Sequence, residues 1–290
     1  MIRRLFLAFG IVCVLSGCSI KMAYNNMDRL VRWGVSDYVD LNREQKAVLD
    51  REIKRIRYWH RINHLSLYAD FTHALAVRWS DQVTVAELQM AFDQITSWVE
   101  ELEVQATPLL IDMMMSLTDA QIADLPERLE ASNVELAEPE LGADLAKAQA
   151  AWADEVTDRM RRFVGRLTDE QKNYVKRRAS GYRPELVQWA EYRRRFQKDL
   201  LLLLDERGDR ERFAERYSVL IAARESYYGA DLAEVFAHNE ALSMDVAAHL
   251  LSNLSEKQSA RFIAELTELG DVFAELAAEA DSDRTAAGAD

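Results

Sequence analysis

Two histidines, His60 and His64, stand four residues apart in a segment whose apolar residues recur every three or four positions. This spacing places both imidazoles on one helix face, where two such groups can bind zinc or copper. The intervening residues are Arg61-Ile62-Asn63, so the glutamate of a His-Glu-x-x-His metalloprotease is missing. His60 also lies on the apolar face, which favours a packed, hydrogen-bonded histidine. We therefore predict no metal site and no cofactor.

Two acid–histidine pairs, Glu234/His238 and Asp245/His249, have the i, i+4 spacing that could orient an imidazole as a general base. Their histidines are 11 residues apart, ~16 Å along an α-helix, so one metal ion cannot join them. Surface pairing on one helix face explains both spacings. The sequence contains no nucleophile elbow, phosphate-binding loop or dinucleotide fingerprint. We expect that the protein is not an enzyme, the alternative being a hydrolase without a recognisable motif.

The segment Arg159–Lys198 carries 13 basic and 4 acidic side chains, a net charge of +9 in a chain whose formal charge is −13. In a cytosolic protein this segment, with its interleaved aromatic residues, would suggest nucleic-acid binding. The N-terminal residues indicate export from the cytosol, so nucleic acid is not an expected partner. The remaining anions are phospholipid, lipopolysaccharide, peptidoglycan and acidic polypeptides. The alternative is a solvated face neutralised by acidic segments elsewhere in the chain. The candidate side chains for an anionic partner are Arg161, Arg162, Arg166, Lys176, Arg177, Arg178, Arg193, Arg194 and Arg195.

Helices must position these side chains. The 290 residues include only 10 Gly and 4 Pro, too few turn residues for a β-protein. Apolar residues recur at helical spacing along most of the chain. We predict an all-α fold, an elongated multi-helix bundle or array. The predicted helices include a long one through 49–75 and others at 85–115, 118–133 (bent at Pro126), 152–163, 168–204 (interrupted at 181–184), 209–250 and 262–276.

The first residues indicate export and lipid attachment. Arg3 and Arg4 precede a short apolar stretch, and Cys18 directly follows Leu-Ser-Gly. This order resembles the lipobox of bacterial lipoproteins, which implies cleavage before Cys18 and acylation of both its thiol and its new amino group. Ser19, where an aspartate would indicate inner-membrane retention, implies the periplasmic face of the outer membrane. Loss of the leader also removes Cys13 and changes the formal charge from −13 to −15.

The predicted organisation has four parts. Residues 1–17 are the signal peptide, and residues 18–40 are the lipidated N-terminus with a first helix. Residues 41–280 form a helical domain, as one body or as two lobes with a break near 134–145. Residues 281–290 have no large apolar side chain and are predicted to be a disordered tail.

One motif, Leu-x-x-x-Gln, recurs at four predicted helix starts. In each copy an Asn, Thr or Ser follows the leucine as the N-cap, and glutamine at the third helical position completes a capping box. The unequal spacing of the copies excludes a regular solenoid. The motif residues are Leu41, Asn42 and Gln45; Leu117, Thr118 and Gln121; Leu167, Thr168 and Gln171; and Leu254, Ser255 and Gln258.

The Leu-Thr-x-x-Gln form of this motif resembles that of the Spy/CpxP group, helical periplasmic proteins that include an ATP-independent chaperone. Capping alone also produces the pattern. A second resemblance is to Gram-negative lipoproteins known only as a domain of unknown function, and it implies a helical envelope lipoprotein without assigning catalytic residues. It rests on the lipobox followed by Ala23-Tyr24-Asn25-Asn26, Trp33, Asp37-Tyr38, Leu41, Glu44-Gln45 and Trp59-His60-Arg61.

We expect a lipid-anchored, periplasm-facing lipoprotein whose helical body is a non-catalytic binding or chaperone-like module for envelope polypeptides. The alternative is a structural or interaction lipoprotein that binds anionic lipid or lipopolysaccharide through the segment 159–198. Nucleic acid is not an expected partner.

Overall fold

The computed structural model describes residues 17–80 and 82–287 and is 84% helical, with 12 α-helices and no strand among those residues. The predicted all-α fold is confirmed. Nearly all of the predicted signal peptide lies outside the described residues, as do the side chains of 17–19 and 280–287. The helices are α1 Gly17–Asn25, α2 Met27–Ser36, α3 Arg43–Asn63, α4 Leu65–Arg78, α5 Val85–Met115, α6 Asp119–Ala137, α7 Leu145–Val164, α8 Asp169–Arg178, α9 Leu186–Leu204, α10 Arg210–Ala222, α11 Gly229–Ser252 and α12 Glu256–Ala287.

The predicted long helix through 49–75 is interrupted at His64, where φ is −119°. Backbone hydrogen bonds still cross the break, since the His64 amide donates to the His60 carbonyl at 2.9 Å. The break divides the apolar stripe between two parts of the core. Leu49 of α3 packs in one hydrophobic cluster, whereas Leu75 of α4 packs in another. The prediction of one unbroken helix was therefore wrong.

The predicted helix 209–250 is also divided, by a 3-10 turn at Arg224–Tyr227. The chain restarts as α11 at Gly229, whose φ of +73° is the left-handed conformation that glycine adopts without strain. Arg224 holds the turn against α5 through a 2.8 Å bond to Glu103. In contrast, α6 runs through Pro126 and ends at Ala137, four residues beyond the predicted end.

The predicted break near 134–145 falls at 138–144, between α6 and α7, but it does not divide the chain into sequential lobes. The first core cluster combines α3, the end of α5, α6, α9 and α10. The second combines α4, the start of α5, the end of α7 and α12, and a third joins α7, α8 and α11. Residues on both sides of the break therefore contribute to the first and second clusters.

The first and last of the described helices meet in a fourth cluster, where Leu65, Val272 and Leu276 pack with residues of α1. Helix α12 continues through Ala287, seven residues into the segment predicted as a disordered tail, and residues 288–290 of that segment lie outside the described residues. None of the helices in the described ranges is both long and apolar enough to cross a membrane.

Candidate functional site

The four Leu-x-x-x-Gln motifs form the predicted capping boxes. In α3 the backbone amide of Gln45 donates to the Asn42 side chain at 2.9 Å, and the backbone amide of Asn42 donates to Gln45 Oε1 at 2.9 Å. The same reciprocal bonds begin α6, α8 and α12. The sequence therefore predicted the local role of each motif correctly.

The structure adds that the motifs meet in two pairs. Gln45 Nε2 donates to Gln121 Oε1 at 3.0 Å, and Gln121 Nε2 donates to Gln45 Oε1 at 2.8 Å. Each glutamine also donates to the carbonyl that precedes the partner motif's leucine, Ser116 for Gln45 and Asp40 for Gln121, both at 2.8 Å. With the capping bond, both side-chain amides use two donors and two acceptor positions, their full hydrogen-bonding capacity.

Gln171 and Gln258 form the second pair with the same pattern. Their mutual amide bonds are 3.1 and 2.9 Å, and they donate to the Asn253 and Arg166 carbonyls at 3.1 and 3.0 Å. Both glutamines are buried. The four motifs thus do not share one surface; they join helix starts in pairs, one beside each of the first two core clusters.

A fifth capping box, at the start of α5, was missed because its segment Val83–Glu87 has neither the leucine nor the glutamine of the motif. The backbone amide of Thr84 donates to the Glu87 carboxylate at 2.9 Å, and the backbone amide of Glu87 donates to the Thr84 hydroxyl at 3.2 Å. Glu87 has no partner motif and instead accepts from Arg78 Nε at 2.8 Å. This bond and the capping bonds lower the pKa of Glu87 to about 2. The difference follows from chemistry, since a carboxylate caps its own helix but cannot donate to a second one.

His60 lies in a polar cluster between α1, α3 and α4. Its Nδ1 is 3.1 Å from the Tyr24 hydroxyl and its Nε2 is 3.1 Å from the Tyr68 hydroxyl. Because Tyr24 donates to the Arg57 carbonyl at 3.2 Å, the consistent arrangement has Nδ1 donating to Tyr24 and Nε2 accepting from Tyr68. Burial, aided by His64, lowers the pKa of His60 to about 4, so the ring is neutral at pH 7.

His64 stacks on His60 with ring centroids 5.3 Å apart. Only 1% of His64 is exposed, and burial lowers its pKa although Glu101 lies 3.6 Å from Nε2. Both His60 nitrogens face tyrosine hydroxyls rather than an open space between the rings. Within the described ranges, no three His, Cys, Asp or Glu side chains gather as a metal site would require.

In the two acid–histidine pairs of α11, each acid and each histidine contacts a residue outside the pair. His238 donates from Nε2 to the Gly181 carbonyl at 2.7 Å, whereas Glu234 binds Arg183 at 2.7 Å. His249 stacks on Tyr174 with centroids 3.7 Å apart, and Asp245 binds Arg178 at 2.9 Å. These contacts join α11 to α8 and its following turn, so the spacing reflects packing between helices.

The basic side chains of α9 are separate from the rest of the predicted basic surface. Arg194 forms two bonds of 2.8 and 2.7 Å with Glu130 of α6, and Arg193 donates to Ser132 Oγ at 3.1 Å. Arg195 donates to the Tyr227 carbonyl at 2.8 Å. These three side chains hold α9 against α6 and the 3-10 turn, so the nine predicted residues do not form one surface.

The other six basic residues are exposed on α7, on α8 and in the short connection between them. Arg161 binds Asp158 at 3.2 Å, and Arg162 also has an interaction partner. Across the described ranges, Arg166 and Lys176 form no ion pair. Arg177 lies 6.0 Å above the Tyr174 ring centroid. This part of the predicted surface is therefore only partly neutralised by the protein.

A cleft of about 370 Å³ opens beside this surface, between α8 and α11. Arg177, Arg178, Ser180 and His238 line it, and Leu242 forms part of its wall. The sequence placed Arg177 and Arg178 among the candidates but missed Ser180 and His238, because nothing in the spacing shows that α11 crosses the end of α8. The two guanidinium groups make the cleft suited to a small anionic group.

The fold and these sites define an all-helical protein whose helix starts are joined through two glutamine pairs. The chain belongs to the family of unknown function DUF6279, whose model matches residues 37–232. The predicted likeness to an uncharacterised family is thereby confirmed, and the matched segment includes three of the four glutamine motifs. Neither the curated proteins nor the solved structures include a significant match to the chain. The likeness to the Spy/CpxP group stays a prediction.

Proposed function

We propose that the chain is an envelope lipoprotein, anchored through Cys18, whose helical body is a non-catalytic binding module held close to the membrane. The observation that carries the proposal is how soon after Cys18 the chain joins the body. Ile20 packs against the fourth core cluster, and Lys21 Nζ lies 3.2 Å from Glu275 and 2.8 Å from Glu279.

This attachment leaves almost no linker. Lys21 follows Cys18 by three residues, which span at most about 11 Å even when extended. In the structure α1 already includes Cys18. A lipid on Cys18 would therefore hold the body at the bilayer surface. The lipobox supports the anchor, and Ser19 supports the periplasmic face of the outer membrane as its location.

The anchor is tested by mass spectrometry of the N-terminal peptide and by detergent-phase partitioning of the expressed protein. The expected result is a chain that begins at an acylated Cys18, whereas Cys18→Ser abolishes acylation and detergent partitioning. Cys13→Ser is the matched control, because Cys13 lies in the predicted leader and should not affect the mature protein. Equal detergent partitioning of the Cys18→Ser and unaltered proteins would reject the anchor.

For the binding role, the first candidate partners are envelope polypeptides. Helix α5 supports this by exposing apolar side chains such as Val104 (69% exposed) and Leu110 (45%). A photo-crosslinking residue at either position in cells should capture discrete polypeptides, and Glu206, on the connection between α9 and α10, serves as the control position. The mature chain with Cys18→Ser should also suppress aggregation of a denatured client at stoichiometric excess. Failure in both assays would reject the polypeptide-binding role.

A second candidate is binding of anionic envelope material, favoured by the cleft between α8 and α11. Arg177 supplies a guanidinium group there without an ion-pair partner among the described residues, and Arg178 is only partly neutralised by Asp245. Phosphate groups of lipopolysaccharide or phospholipid match this lining.

A further inference from the structure

Helix α2 presents large apolar side chains to solvent. Leu30 is 52% exposed, Trp33 is 72% exposed and Val31 is 36% exposed. Leu30 and Trp33 are three residues apart and so lie on one face of the helix. In the preceding helix, Met22 is 65% exposed. A helix on the surface of a soluble body normally carries polar residues at such positions.

The opposite side of α2 is fixed to the body. Val35 packs against the first core cluster, and Arg32 binds Asp50 of α3 at 3.2 Å. Arg128 of α6 donates to the Ser36 carbonyl at 3.1 Å. The exposed face is therefore held in place by contacts on the other side of the helix.

This face follows the proposed anchor closely in the chain. Trp33 follows Cys18 by 15 residues, which is about 23 Å along helical chain. Residues 17–36 carry Lys21, Arg29 and Arg32 against one acid, a net charge of +2 in a chain of formal charge −13. Arg29 is exposed beside Leu30 and Trp33. Tryptophan together with basic residues is typical of helices that lie in the headgroup region of an anionic bilayer.

We propose that α2 is a second membrane contact, which inserts Leu30 and Trp33 into the headgroup region of the bilayer that holds the lipid on Cys18. The inference rests on the proposed anchor. A lipid alone leaves the body free to rotate about the attachment point, whereas a second contact fixes which face of the body points away from the bilayer.

The test uses the lipidated mature protein reconstituted in phosphatidylethanolamine–phosphatidylglycerol vesicles. Apart from the acylated Cys18 the mature chain has no cysteine, so Leu30→Cys introduces a single site for an environment-sensitive fluorophore. Leu110→Cys on α5 is the matched control, since Leu110 is 45% exposed. We expect reconstitution to lower iodide quenching severalfold at position 30 and to leave it unchanged at position 110. Adding Trp33→Ser to Leu30→Cys should restore much of the quenching.

Three results would overturn the inference. Equal quenching at positions 30 and 110 in lipidated protein would reject the α2 contact while leaving the anchor intact. Protection of position 30 without vesicles, increasing with protein concentration, would assign the face to a second copy of the chain. If Cys18 carries no lipid, the anchor itself fails; α2 is then tested alone through vesicle binding of the unlipidated chain, and absence of binding rejects it as well.

Discussion

Gln45 and Gln121 lie 76 residues apart and exchange side-chain amide bonds of 3.0 and 2.8 Å. Each glutamine caps its own helix and also satisfies a carbonyl beside the partner helix, in one case that of Ser116, the C-cap residue of α5. The motif therefore combines helix initiation with tertiary pairing. Because both roles depend on an amide with donors and acceptors, glutamine is required where glutamate would suffice for capping alone.

The first prediction concerns that requirement. Gln258→Glu keeps the capping acceptor but loses both donors to the Arg166 carbonyl and Gln171 Oε1. The substitution also places a carboxylate oxygen next to the Arg166 carbonyl and Gln171 Oε1, which are both acceptors and would repel it. We expect the free energy of unfolding to fall by about 2–4 kcal/mol at pH 7, as measured by urea denaturation.

The control for this prediction is Glu87→Gln at the fifth capping box. That change keeps both capping bonds and removes only the exposed charge pair with Arg78, whose side chain is 55% exposed. A much smaller loss of stability is expected. Equal effects of Gln258→Glu and Glu87→Gln would show that the glutamine pair contributes nothing beyond capping.

Sequence patterns predicted the helices and their caps because both depend on residues within about one turn of each other. The capping boxes at Asn42, Thr118 and Thr168 formed as expected. The break at His64 and the turn before Gly229 were missed, because apolar spacing does not show which core cluster each part of a helical segment joins. Periodicity shows which face of a helix is apolar, but not which partner covers it.

The basic residues of the candidate cleft were only partly predictable from the sequence. Charge counting identified Arg177 and Arg178, but it also included Arg193–Arg195, which bind α6 and the 3-10 turn instead. Local charge density does not distinguish a basic side chain that is available to bind an anion from one that is bonded to a neighbouring helix. Pairing of the glutamine motifs across 76 and 87 residues was likewise beyond a single sequence.

The second prediction is a stability loss in mild acid. The pKa of His60 is lowered to about 4 in the folded protein, from 6.5 in the unfolded chain. The unfolded state therefore binds the proton first, and stability falls as the pH drops from 6.5 towards 4. This group alone should lower the free energy of unfolding by about 2–3 kcal/mol between pH 7 and pH 4.5.

The measurement compares the unaltered protein with His60→Gln in urea denaturation across that pH range. The variant should show a shallower pH dependence, because the group that titrates between pH 6.5 and 4 is gone. His73→Gln, which changes a histidine whose side chain is 39% exposed, is the control and should retain the dependence. Parallel curves for the unaltered protein and His60→Gln would contradict the assignment.

The third prediction concerns the close packing of α4 against α12 at Gly270. A Cβ on this buried glycine would overlap the imidazole of His73. Gly270→Ala should therefore destabilise the protein by about 1–3 kcal/mol, although alanine is the better helix former. In a His73→Ala background the same change should stabilise by about 0.5–1 kcal/mol. A double-mutant cycle measured by thermal unfolding checks this reversal of sign, and its absence would reject the steric explanation.

The fourth prediction tests the anionic partner of the cleft between α8 and α11. Arg177→Gln with Arg178→Gln removes two positive charges while leaving Ser180 and His238 in place. If a phosphate group occupies the cleft, binding of the protein to lipopolysaccharide should weaken severalfold. The remaining affinity should also become less sensitive to salt, because exposed charges are screened within about 10 Å at 0.1 M ionic strength.

The matched control for the cleft is Arg193→Gln with Arg194→Gln, which removes the same charge from α9. Because Arg194 binds Glu130 and Arg193 binds Ser132, this double variant should lower the free energy of unfolding without changing affinity for the anion. Comparing titrations of both variants in low and high salt separates the two roles. Equal weakening by both pairs would show that total charge, rather than the cleft, determines binding.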